Sequence, residues 1–326
     1  MSNLRPPEEG DTSVMAAPAG GAGNKAEPVR VWRTRSRAQL VFGMAVLLPV
    51  LALYASLRFV PMLQTFRFSL YDWSLAAPTG QFIGLENFSN LLADGAFRGA
   101  FWNTLVFCIG TTLPTLAISL GLAELLNRRI ARPTLYELLF FVPVVLSMVP
   151  VSIVWKWIYE PKYGLLNYLL SLVGVSPRAW LFDPQLVMAS IIVMSIWKGI
   201  GFYLVIFTAG LRNIPHDYFD AAHIDGANWW SGFRFITLPL LRPIVLFALV
   251  WATIQNLNVF TQVYVMTLSY GSAGTFGQPL QVLVLDIYNN AFRYFRLGYA
   301  SAEAAILFVT VLVASLVQLR LLRERA

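Results

Sequence analysis

Six long apolar runs, at about residues 38–60, 100–126, 135–158, 186–211, 244–268 and 299–319, constrain this chain more than any other feature. Each exceeds the ~20 apolar residues that an α-helix needs to cross a bilayer. The runs are continuous and do not alternate, which argues for helices over the strands of a membrane barrel. Charged residues make up 13% of the chain, against roughly 25% in soluble domains. The expected fold class is therefore all-α, a polytopic membrane helix bundle of about six transmembrane helices. The spans fall within residues 38–322, flanked by a flexible tail at 1–37 and a short end at 323–326.

The first run is too long for the h-region of a signal peptide, and no small-residue cleavage site follows it, so it is expected to remain as a span. The prolines at 49, 114, 143 and 150 kink soluble helices, but membrane bundles tolerate them. Trp155, Trp157, Tyr159 and Tyr299 stand near run ends, as an interfacial aromatic belt requires. The single cysteine, Cys108, excludes an internal disulfide framework.

The excess of Lys and Arg over Asp and Glu could suggest nucleic acid, but the basic residues gather where membrane topology uses them. One side collects Arg5, Lys25, Arg30, Arg33, Arg35, Arg37, Arg128, Arg129, Arg132, Arg212, Arg234, Arg242, Arg320, Arg323 and Arg325. The other holds Arg67, Arg98, Lys162, Arg178, Arg293 and Arg296. Positive loops stay inside, so both termini and the loop between the fourth and fifth spans are expected in the cytoplasm, with no nucleic-acid partner. The expected setting is a bacterial cytoplasmic (inner) membrane, in contact with lipid.

That loop, about residues 213–240, has its own local logic. Pro215 suits the first turn of a short helix, and Asp217 and Asp220 favour its positive end. Asp225-Gly226 stops it, with Gly226 free to take the left-handed conformation. Asn228 can cap a second short helix that runs to Phe235, with Pro239 as its stop. Ala221, Ala222 and Ala227 allow close approach, while Phe219, Trp229, Trp230 and Phe233 supply bulk. Such a knob can dock in another protein's groove. From these residues alone an amphipathic loop lying on the membrane surface is an equal alternative.

The string Asp220-Ala221-Ala222-His223-Ile224-Asp225-Gly226, followed by Ile236-Thr237-Leu238-Pro239, resembles the "EAA" loop of binding-protein-dependent ABC permeases. Gly84-Leu85-Glu86-Asn87-Phe88, Asn103-Thr104, Tyr163-Gly164-Leu165-Leu166-Asn167, Trp180-Leu181-Phe182-Asp183-Pro184 and Ala209-Gly210-Leu211-Arg212-Asn213-Ile214-Pro215 are similar to the sugar-permease branch. The resemblance covers about residues 38–322 and points to the maltose-type and glycerol-phosphate-type first permease subunit. Two departures stand out. Asp220 replaces the family glutamate, and Tyr270-Gly271-Ser272-Ala273-Gly274 replaces a Gly-Gly-Pro.

The resemblance implies the type I ABC importer transmembrane-domain fold and a heteromeric complex. Its partners would be a second permease subunit, an ATP-binding cassette ATPase dimer and an extracytoplasmic solute-binding protein. The chain carries no Gly-x-x-x-x-Gly-Lys-Ser/Thr and no metal-ligand cluster. ATP and Mg are thus expected on the partner ATPase, with no cofactor on this chain and no enzyme activity of its own. ATPase coupling would use Asp217, Asp220, Ala221, Ala222, Asp225, Gly226, Ala227 and Phe233. A membrane-embedded enzyme would need clustered catalytic residues near the bilayer surface, and a passive channel would not need the docking loop.

Polar groups at membrane depth mark a candidate substrate pathway. Lys198, near the centre of the fourth span, is a functional candidate by default, its alternative being a pair with a structural carboxylate or a side chain snorkelling along a cavity. Trp251, Gln255, Asn256 and Asn258 interrupt the apolar fifth run. Amides suit sugar hydroxyls and an aromatic face suits a sugar ring, although amides also join helices to one another in membranes. Family anchors place the solute-contacting positions near Met148, Ser195, Lys198, Gly199, Phe202, Ala252, Asn256 and Val259. Ala252 and Val259 depart from the polar residues of maltose-type subunits, so a different glycan, a glycerol phosphate or another polyol is open. Glu124 and Glu137 are expected to pair with the arginines of the 127–133 loop. Glu303 is expected at an interface or in packing, and His216 and His223 as contact or solvated residues.

Overall fold

A computed structural model of the chain describes residues 37–74, 76, 80–127, 132–267 and 281–323. Residues 1–36 of the expected 1–37 tail, Arg128, Arg129, the segment at 270–274 and residues 324–326 lie outside the described residues. The chain divides into two compact units, up to Leu57 and from Arg58 onward. The first contains helix α1 (Arg37–Tyr54). Its large apolar side chains are exposed on every face, as in a helix whose neighbours are lipid or another subunit.

The second unit begins within a π turn (Ala55–Phe59) that leads into α2 (Val60–Phe68). A small antiparallel pair, β1 (Tyr71–Asp72) with β2 (Gln81–Phe82), precedes α3 (Glu86–Ala93) and the long α4 (Gly95–Leu126). Then come α5 (Pro133–Val145), α6 (Met148–Ile158), α7 (Leu165–Leu172) and α8 (Val187–Arg212). The chain continues through α9 (Asp217–Ile224), α10 (Trp229–Gly232), a π turn (Phe233–Thr237), α11 (Leu238–Leu240), α12 (Arg242–Leu257) and α13 (Thr261–Thr267). It closes with α14 (Leu283–Tyr288), a π turn (Asn289–Arg293) and α15 (Leu297–Arg323).

Among the described residues, five helices are long and apolar enough to cross a membrane: Gln39–Phe68, Gly95–Leu126, Val187–Arg212, Trp229–Thr267 and Leu297–Leu321. The third expected span is not one rod. α5 and α6 meet at 98°, with Leu146 and Ser147 in extended conformation between them. Two prolines favour this break. Pro143 withdraws a donor near the end of α5, and Pro150 falls in the first turn of α6, where a missing N–H costs nothing. The other correction concerns Pro239, which does not stop the helix after Asn228. The chain passes through the π turn with Pro239 in the first turn of α11, so the loop runs on into the fifth span.

α4 and α8 form the central pair, with α5 on α8 and α12 on α4 and α15. Lipid offers apolar side chains as good a home as protein does, so close packing and hydrogen bonds hold such a bundle. At Gly201 the backbones of α8 and α5 nearly touch, and a Cβ there would overlap the Phe140 carbonyl oxygen. At Gly210 a Cβ would collide with Ile244. Beside these contacts, buried cores form around Phe107, Ile191 and Met194, around Leu204, Phe207 and Ala248, and around Leu91, Leu257 and Leu283.

The motif asparagines act as staples for irregular chain. Asn87 donates to the Ser69 and Tyr71 carbonyls at 2.9 and 3.0 Å, holding the turn after α2. Asn103 donates to the Gln281 carbonyl at 3.0 Å, and the Thr104 hydroxyl accepts from the Leu283 amide at 2.8 Å. Asn167 uses both ends of its amide. It donates to the carbonyls of Pro161 and Arg178 at 3.0 and 2.9 Å, and accepts from the Arg178 amide and the Trp180 indole at 3.1 and 2.8 Å. Asn167→Ala is expected to destabilise this segment by about 1–3 kcal/mol, because it strands part-buried backbone partners. Thermal unfolding of the purified protein with Asn167→Asp in parallel checks this, since Asp keeps the acceptor and loses the donor.

The expected aromatic belt is only partly an interface. Trp157 is exposed, but Tyr159 is buried and donates to the Ser190 carbonyl at 2.9 Å. Tyr299 donates to Asp94 Oδ2 at 2.7 Å. Glu303 is fully buried and accepts from Asn290 at 3.0 Å.

Candidate functional site

The break in the third span determines the chemistry of the cavity beside it. A helix end leaves carbonyls without intrahelical donors, and the end of α5 lies against α8. Lys198 on α8 reaches those oxygens, with its Nζ 2.9 Å from Pro143 O, 2.7 Å from Leu146 O and 3.4 Å from Val144 O. Helix C-termini attract cations, so the ammonium holds the elbow and the elbow's dipoles hold the ammonium. Among the described residues no carboxylate pairs with Lys198. Its partners are backbone carbonyls, and the side chain also lines the cavity.

The cavity measures about 320 Å³ and is lined from α4, α5, α6, α8, α12 and α13. Eight of the nine candidate pathway residues line it: Met148, Ser195, Lys198, Gly199, Phe202, Trp251, Gln255 and Asn256. Asn258 does not. α12 has ended by then, and the Asn258 amide turns back to the Ile254 carbonyl at 2.7 Å. The family-aligned positions Ala252 and Val259 are also absent from the lining, being buried in apolar clusters on the other faces of their segments.

The polar groups are unevenly engaged. Ser195 donates back to the Ile191 carbonyl at 2.8 Å, leaving its oxygen free to accept. Asn256 donates to Thr112 Oγ1 at 2.9 Å, joining α12 to α4, so this amide both ties helices together and faces the cavity. Thr111, Thr115, Val144, Tyr203 and Gln262 complete the lining and were not singled out from the sequence. Thr111 and Thr115 share a helix face four residues apart, and the buried hydroxyl of each lacks a hydrogen-bond partner. That spacing of hydroxyls in an apolar run was the available signal.

The 213–240 loop forms the second candidate site. α9 opens with Asp217 and Asp220 in its first turn, with Pro215 just ahead of the helix. It ends at Gly226 (φ 77°), with Gly226 N–H bonded to His223 O at 3.1 Å and Ala227 N–H to Ala222 O at 2.9 Å. Those two bonds are the Schellman arrangement. Asn228 then caps α10, accepting from the Ser231 amide at 2.9 Å. Phe233 stacks on both Trp229 and Trp230, with ring centroids 5.8 Å apart in each pair. Phe219, Ala222, Ala227 and Phe233 turn inward, while Asp217, Asp220, Ala221, Asp225 and Gly226 are exposed, as are His216 and His223. Ile224 is 87% exposed at the turn.

Two acidic residues of the spans make contacts at the cytoplasmic loop and its approach. Glu137 on α5 pairs with Arg212 at the end of α8, and Glu124 on α4 accepts from the Trp229 indole at 3.2 Å. Arg128 and Arg129 of the 127–133 loop lie outside the described residues, so these contacts are the ones the described residues show.

Comparison with known proteins places these two sites in context. The family model described as "binding-protein-dependent transport system inner membrane component" matches residues 106–325. The trehalose/maltose transport system permease protein MalF of Thermococcus litoralis is 32% identical over 287 residues, covering 87% of this chain and 94% of that protein. The lactose transport system permease protein LacF of Rhizobium radiobacter is 32% identical over 306 residues, covering 90% and 99%. A bacterial ABC transporter involved in the import of the acidic polysaccharide alginate has the same fold, with TM-score 0.77 at 23% identity over 88% of this chain and 96% of the matched one. A multi-pass bundle with a cavity lined by both polar and apolar side chains and a paired-helix loop thus belongs to the binding-protein-dependent transport system inner membrane components, the permease subunits of ABC importers.

Proposed function

We propose that this chain forms half of the solute pathway of an ATP-driven saccharide importer, a second permease subunit supplying the other half. The observation that carries the reading is the cavity between α4, α8 and α12. Hydroxyls, amides and a lysine converge there with Trp251 and Phe202, a mixture that matches both the polar rim and the apolar face of a sugar ring. The names of the trehalose/maltose and lactose relatives support the same substrate class. An ATPase pair docks on α9 and α10 and holds the ATP and Mg. An extracytoplasmic binding protein delivers the solute to the opposite side. The distribution of Lys and Arg supports cytoplasmic termini in a bacterial inner membrane.

Uptake by the reconstituted complex across a saccharide panel, with ATP hydrolysis followed in parallel, tests the reading. At least one saccharide should be taken up and should stimulate hydrolysis; a complex that moves only non-saccharide solutes overturns it. Asn256→Ala removes the amide and its bond to Thr112, and uptake is expected to fall about tenfold with assembly retained. Unchanged uptake would take Asn256 out of the pathway.

A further inference from the structure

The lone formal charge among the described residues lining the cavity is Lys198, and no carboxylate accompanies it. A charge at this depth is costly, and such residues pair with other charges or with backbone carbonyls. The three carbonyls at Nζ supply oriented dipoles, but they carry no formal charge to cancel the ammonium. The contacts at 2.7 and 2.9 Å are full hydrogen bonds, while the one to Val144 O at 3.4 Å is stretched beyond the usual range. One N–H is therefore weakly used, and Val144 itself lines the cavity. An oxyanion on the solute can take that donor without dismantling the elbow. Close by, Ser195 keeps an acceptor free, Asn256 and Gln255 offer amides, and Trp251 offers a ring face.

We propose that the solute is an acidic saccharide, and that Lys198 selects it by binding its carboxylate. This rests on the saccharide-importer reading and narrows it. A neutral sugar would leave the ammonium without a counter-ion inside the membrane. A carboxylate adds a charge-assisted bond in a setting where water competes weakly.

The test uses the complete importer, with its binding protein, in proteoliposomes. The probes are di- and trisaccharides of glucuronate, galacturonate and mannuronate, each paired with its carboxyl methyl ester, together with maltose and lactose. Esterification removes the charge while keeping the sugar stereochemistry. At least one acid is expected to enter about tenfold or more faster than its own ester. That ratio should collapse in Lys198→Gln and be largely kept in Lys198→Arg. Maltose, lactose or an ester entering at least as fast as every acid would overturn the inference while leaving the saccharide reading intact, and would indicate a counter-ion on the second permease subunit. An acid preference that survives in Lys198→Gln would also overturn it, by placing the selection in the binding protein. If Lys198→Gln does not assemble, the wild-type ratio and Lys198→Arg decide. Uptake of no saccharide of either kind sinks the saccharide reading itself, a distinct result.

Discussion

Gly226→Val is expected to abolish ATP-driven uptake while leaving membrane insertion intact. Gly226 sits at φ 77°, a region that costs an L-residue about 1–2 kcal/mol and a β-branched one the most. Leaving that region breaks the bonds to His223 O and Ala222 O that close α9, worth about 1 kcal/mol each. An exposed helix of eight residues has little stability of its own to offset such losses. The end of α9 would fray, and the angle between α9 and α10 would no longer be set. The proposed transmission through the loop requires elements that move as rigid units, so on that reading the loss of shape reaches transport directly. Co-purification of the ATPase and uptake are the measurements, with Gly226→Asn as the partial rescue, because Asn tolerates the left-handed region. Deleting residues 217–235 should likewise end ATPase capture. Full uptake by Gly226→Val, or ATPase association after the deletion, would remove this loop from coupling.

Gly201→Val carries the second large effect. A Cβ at Gly201 would overlap the Phe140 carbonyl oxygen and come to 3.0 Å from Phe141 Cα. Overpacking typically costs about 1–3 kcal/mol when side chains can yield. Here the obstacle is backbone, so α5 must move as a body. Its last turn supplies the Pro143 and Val144 carbonyls that Lys198 holds, and the displacement would pull them away and open the elbow. The variant is expected to lose most of its folded yield in detergent and its uptake. Gly121→Ala is the control, as a Cβ there meets nothing within 4 Å beyond its chain neighbours and the backbone of its own helix. Normal thermal stability of Gly201→Val would show that the α5–α8 contact is looser than the geometry implies.

Much of the architecture was legible because the bilayer simplifies the problem. Backbone polar groups must be satisfied within each span, so a long apolar run leaves few alternatives to a helix. Local chemistry was equally readable where it depends on residues a few positions apart, as in the Gly226 stop and the Asn228 cap. The motif asparagines were recognisable, but their work was not. Asn103 and the Gln281 carbonyl it binds lie on segments that no local pattern connects.

The six apolar runs, the charge asymmetry and the 213–240 loop were determined by the sequence alone, because burial in lipid and turn chemistry act on neighbouring residues. The tertiary structure decided where the third span breaks, which carbonyls Lys198 holds, and which polar residues share a cavity. It left Asn258, Ala252 and Val259 off the cavity lining, admitted Thr111, Thr115, Tyr203 and Gln262, and set Glu124 beside Trp229 and Glu137 beside Arg212. Those outcomes depend on how each helix is rotated and how closely Gly201 and Gly210 let neighbours approach. In helices apolar on nearly every face, rotation is set by packing between helices and not by the pattern within one.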